Sequence, residues 1–78
     1  MALPENVVIV EDEVITQRYL QDILSSNDVN VSGCFDNAED MLEALKDLTC
    51  DMILMDINIK GPMDGIQLAR KILQTRTF

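Results

Sequence analysis

The 78-residue sequence predicts an α/β domain, three layers deep, in which helices cover a parallel sheet. Three observations lead there. Residues 7–10 and 51–56 are short apolar runs with the length of buried strands, the segments between them change to helical spacing, and the two patterns alternate with short connections. Right-handed crossovers turn that alternation into neighbouring parallel strands.

The first strand is "VVIV", residues 7–10, β-branched throughout and preceded by Pro4 and Asn6. A continuous apolar run of this kind suits a strand covered on both faces. From Glu13 to Ser26 the spacing predicts a helix, with Ile15, Tyr19 and Ile23 in one row, Leu20 and Leu24 beside it, and Gln17, Arg18, Gln21 and Asp22 facing outward. "VNVSGCF", residues 29–35, alternates with Val29, Val31, Gly33 and Phe35 on one side and is expected to be an edge strand. Asp36 or Asn37 can cap the next helix, whose first turn carries Glu39 and Asp40 and whose apolar face holds Ala38, Met41, Leu42, Leu45 and Leu48. "DMILMD" at 51–56 reads as a third strand. Asp64 or Gly65 then opens a third helix with Ile66, Ala69, Ile72 and Leu73 as its apolar face.

Composition removes several functions. Fourteen acids against six bases give a net charge of −8, and Arg18, Lys46, Lys60, Arg70, Lys71 and Arg76 are too dispersed to neutralise a run of phosphates, so no nucleic-acid surface is expected. The N-terminal stretch lacks a basic region and its apolar run is too short for a membrane span; the expected compartment is the cytoplasm. Cys34 and Cys50 have no C-x-x-C spacing and the chain has no His, which disfavours zinc and makes both cysteines buried apolar residues. Met41, Met52, Met55 and Met63 read as core filler rather than a recognition stripe.

Chemistry concentrates at two strand ends. "VIVEDE" closes the first strand and "ILMD" the third, so Glu11, Asp12 and Asp56 are expected at the carboxyl edge of adjacent parallel strands, where open α/β sheets place their ligands. Carboxylates packed together repel one another unless a cation intervenes. Oxygen donors without His or paired Cys favour a hard ion such as Mg²⁺. Asn58 follows two residues after Asp56, where its main-chain carbonyl can add another oxygen. Beside such an ion, Asp56 is a candidate phosphoryl acceptor. Lys60 reads as a solvated loop residue and Asp64 as a helix cap.

"VVIVEDE", followed about forty residues later by "ILMDINIKGPMDG", resembles the first three β-α units of a two-component response regulator receiver domain, which has a flavodoxin-like fold. The resemblance implies strand order 2-1-3, phosphoryl transfer from a sensor histidine kinase or phosphotransfer protein to Asp56, and Mg²⁺ as cofactor. It implies Asp12 as a direct metal ligand, Glu11 acting through water, Asp56 as ligand and phosphoacceptor, and Asn58 as a main-chain ligand. It implies a signalling module rather than an enzyme, with no membrane or nucleic-acid contact by this segment.

The sequence departs from that pattern in places. The acidic pair is Glu-Asp where Asp-Asp is commoner, and the loop after Asp56 is one residue longer than the usual form. Residues 1–78 are expected to form an incomplete receiver domain, without the fourth and fifth units and the Ser or Thr and the Lys that they supply. An exposed third strand would then invite pairing with a second copy. Two other classes are alternatives: an interaction module of the same fold without phosphorylation, and a haloacid dehalogenase-type phosphohydrolase, which calls for a second Asp where this chain has Asn58.

Overall fold

The "VVIV" run occupies the middle of the sheet. β1 (Asn6–Val10) lies between β2 (Asn30–Phe35) and β3 (Met52–Met55), both parallel to it, in the order β2-β1-β3. The structure is a computed structural model that describes residues 5–56, 59 and 61–75. Helices α1 (Val14–Ser26), α2 (Ala38–Leu45) and α3 (Gly65–Thr75) complete the alternation. The expected class, element order and strand order are those observed.

Because side chains alternate along a strand, β1 supplies both halves of the core. Val7 and Ile9 pack with Val29 under Leu20 and Leu24 of α1. Val8 and Val10 point the other way, into a larger cluster with Ala38, Met41 and Leu45 of α2 and Leu68 and Ile72 of α3. The larger cluster also takes in Cys50, as expected for a small apolar residue, and its Sγ donates to the Met52 carbonyl at 3.3 Å; Cys34 is half-buried, and neither cysteine is in a disulfide. Burial pushes the Cys34 thiol above its ordinary pKa, partly opposed by a hydrogen bond with Gln21. Met41 is fully buried and Met55 and Met63 pack against the same cluster, whereas Met52 is 45% exposed.

The helix starts follow local chemistry. Asn37 is the cap of α2: its Oδ1 accepts from the Asp40 N–H at 2.8 Å. At α3, Asp64 Oδ1 accepts from the Gln67 N–H (2.9 Å) while Gln67 Oε1 accepts from the Asp64 N–H (3.0 Å), a reciprocal capping box. Asp51, read as the first residue of the third strand, instead precedes β3 and clamps it to β1, its Oδ2 accepting from the N–H groups of Glu5 and Asn6 at 3.1 and 2.9 Å.

Four sequence expectations need correction. In α1 the row Ile15, Tyr19 and Ile23 faces solvent, and Leu20 and Leu24 meet the sheet instead; Ile15 is 83% exposed. In α3 the fully buried residue is Leu68, whereas Ile66 and Leu73 are exposed. α2 ends at Leu45 rather than Leu48: the Asp47 N–H bonds the Ala44 carbonyl three residues back, a tight turn that closes the helix, and Leu48 packs against the core from beyond it. β2 does not alternate evenly. Val7 pairs with Val31 but Val8 with Gly33, so a bulge at Ser32 reverses the facing of everything after it. Val31 and Cys34 therefore lie on the α1 side, and Phe35 packs with the larger cluster. Gly33 suits this crowding: a Cβ there would come within 2.8 Å of the Phe35 ring and 3.0 Å of Leu48.

Among the described residues, β3 is paired along its β1 side only, and no helix is long and apolar enough to cross a membrane.

Candidate metal centre

β1 and β3 run side by side with Val10 opposite Met55, so the residues that follow them, Glu11 and Asp56, emerge together at one end of the sheet. The ladder continues past the strands. The Asp56 N–H donates to the Val10 carbonyl at 3.0 Å, and the Glu11 N–H donates to the Phe35 carbonyl of β2 at 2.9 Å. Asp12 follows in the turn to α1. Glu11, Asp12 and Asp56 each offer an oxygen within 4.8 Å of the others, all three half-buried. The sequence expectation that these acids meet is thus observed. Asn58 lies outside the described residues, as does Lys60.

The donor set is carboxylate oxygen throughout, which fits a hard divalent cation better than a soft one. Glu11 and Asp56, with Glu13, also line a cleft of about 430 Å³ that has Val10, Thr16, Leu54 and Met55 on its walls. The first turn of α1, which the sequence pattern leaves out of this site, supports it. The Glu13 N–H donates to Glu11 Oε1 (3.1 Å), the Thr16 hydroxyl donates to Glu13 Oε2 (3.4 Å), and Gln17 Nε2 donates to the Glu11 carbonyl.

Burial raises the Glu11 pKa above its ordinary value, the Glu13 N–H pulls it down, and the Asp56 and Asp12 charges push it up again. A carboxyl whose pKa is higher in the folded state than in the unfolded one holds its proton more tightly when folded. Its stabilising contribution is present below the unfolded pKa and is lost as pH rises through the folded one. The metal-free chain is therefore expected to lose a component of stability just above the ordinary carboxylate range. Thermal melts at stepped pH in a chelator check this, and the component should be missing from Glu11→Gln. A cation, which needs the ionised form, should bind better as pH rises through the same window.

Residues 7–77 match the response regulator receiver domain family. The chain belongs to that family. The receiver domain is 38% identical over 69 residues to protein MrkE of Klebsiella pneumoniae, covering 87% of this chain and 25% of that protein. Identity to the transcriptional regulatory protein YpdB of Escherichia coli K12 is also 38% over 69 residues, covering 87% and 28%. The crystal structure of the signal receiver domain of a modulated diguanylate cyclase from Desulfovibrio desulfuricans G20 superposes with a TM-score of 0.86 at 36% identity, covering 94% of this chain and 58% of that one. The receiver domain thus spans about a quarter of the length of its curated relatives, and their names describe those longer proteins.

Proposed function

We propose that this receiver domain accepts a phosphoryl group on Asp56 from the phosphohistidine of a sensor kinase or phosphotransfer protein, with Mg²⁺ held by Glu11, Asp12, Asp56 and the main-chain carbonyl of Asn58. The observation that supports this most is the meeting of Glu11, Asp12 and Asp56 within 4.8 Å in a chain of this family. In the step, a carboxylate oxygen of Asp56 attacks phosphorus. The new O–P bond forms as the N–P bond breaks, and the leaving imidazole nitrogen keeps the bonding pair and takes up a proton from water. The product is an acyl phosphate. When bound, Mg²⁺ supplies charge neutralisation for the acids and for the oxygens of the transferring group.

The chain's own residues do the positioning. The end of β3 fixes Asp56, while the β1–α1 turn brings Glu11 and Asp12 against it. Incubating the chain with acetyl phosphate and Mg²⁺ should give a label that hydroxylamine removes and that Asp56→Asn lacks. Equal labelling of Asp56→Asn would overturn the assignment.

The same reading extends to a second copy pairing along β3, supported by its partnerless side among the described residues and by the apolar hollow that Met52, Ile53, Met55, Ala69 and Leu73 line beside it. Sedimentation as a monomer at high concentration would remove it.

A further inference from the structure

The hydrogen bonds around the acidic cluster form a frame in which one support is of a different kind. Glu11 is held through its N–H by the Phe35 carbonyl, and Asp56 through its N–H by the Val10 carbonyl; both are continuations of the sheet ladder. The Glu11 carboxylate is steadied by the Glu13 N–H. Any sequence adopting this backbone would make those two ladder bonds. The Glu11 carbonyl, by contrast, is held by a side chain, the amide of Gln17, reaching back from α1 across six positions. Gln17 is itself fixed by its own N–H, which donates to the Glu13 carbonyl at 3.0 Å in the first turn of the helix. It is half-buried although the helical pattern assigns it to the solvent side.

We infer that Gln17 is a positioning residue for the acidic cluster: its amide clamps the main chain between Glu11 and Asp12 and so fixes how the two carboxylates face Asp56. The inference rests on the metal-site reading above. The peptide that Gln17 grips joins two of the three clustered acids, so its rotation redirects both carboxylates at once. A helix-borne donor that stops this rotation acts as the outer-shell partners of metal ligands do, by orienting groups that touch the ion. Gln17 touches no ion in this scheme. The amide N–H is the operative part, because the group it meets is a carbonyl and only accepts.

The test compares the wild-type chain with Gln17→Met, which keeps length and loses the donor, and Gln17→Arg, which keeps a donor. Mg²⁺ is titrated by calorimetry, and each variant's melting temperature is followed with and without Mg²⁺, so that a less stable variant still reports its own metal-dependent shift. The expected result is about 10-fold weaker Mg²⁺ binding by Gln17→Met and near-wild-type binding by Gln17→Arg. Equal binding by wild type and Gln17→Met overturns the inference and leaves the metal site standing. Equally weakened binding by both variants overturns it too, since the donor would then be irrelevant. If the wild type itself binds no Mg²⁺, the metal-site reading and this inference fall together.

Discussion

On the proposed metal site, Asp12→Asn is expected to weaken Mg²⁺ binding by more than about 100-fold, because losing a ligand should exceed the loss on removing an outer-shell partner, and at the same time to make the metal-free domain more stable. The two effects have one origin. Three carboxylates whose oxygens approach within 4.8 Å repel one another when no cation lies between them. Neutralising one relieves a repulsion on the order of 1 kcal/mol for half-buried charges at this separation. Denaturant melts in a chelator should show the variant above the wild type, and the order should reverse at Mg²⁺ that saturates the wild type, because the ion stabilises the tighter binder more. A variant less stable than wild type in both conditions would mean that Asp12 serves the fold rather than the ion.

Leu68→Ala is the second large effect, with an expected loss of about 2–5 kcal/mol of stability. Leu68 has no exposed surface and lies in the core with Val8, Val10, Met41 and Ile72. Domains of this size have little stability to lose, on the order of 5 kcal/mol or somewhat more, so the variant should be largely unfolded near body temperature. Leu73→Ala is the matched control. Leu73 stands 68% exposed on the same helix, and at concentrations where the chain is monomeric its truncation should change stability by no more than about 0.5 kcal/mol. Urea unfolding of the two variants separates the buried face of α3 from the exposed one, and similar losses in both would contradict the packing described.

That contrast also shows where the sequence was ambiguous. α3 carries apolar residues at 66, 68, 69, 72 and 73, and α1 carries two apolar rows. Periodicity identifies a helix in each case but does not select between adjacent faces, because the choice depends on how the helix is rolled against a sheet that the local pattern does not contain. The bulge at Ser32 escaped for a related reason. An extra residue in one strand is defined by its register with a partner, and Val29, Val31, Gly33 and Phe35 alternate correctly when read alone.

The acidic cluster was legible because its geometry follows from topology. Parallel neighbours end at the same edge, so acids at the ends of β1 and β3 must meet whatever the details of packing. Gln17 was not legible. A polar residue on a helix reads as solvated, and its partner is a main-chain carbonyl, which leaves no trace in the side-chain pattern.

The uneven division of the core has a mechanical consequence. No residue of α1 is fully buried, and the cluster beneath it is the smaller of the two, while α2 and α3 are rooted in the larger one. The cheapest partial opening of the molecule is therefore a peeling of α1 away from an otherwise intact sheet. Glu11 and Gln17 tie the acidic turn to the leading end of that helix, so whatever grips the carboxylates also works as a latch on the layer least able to hold itself down.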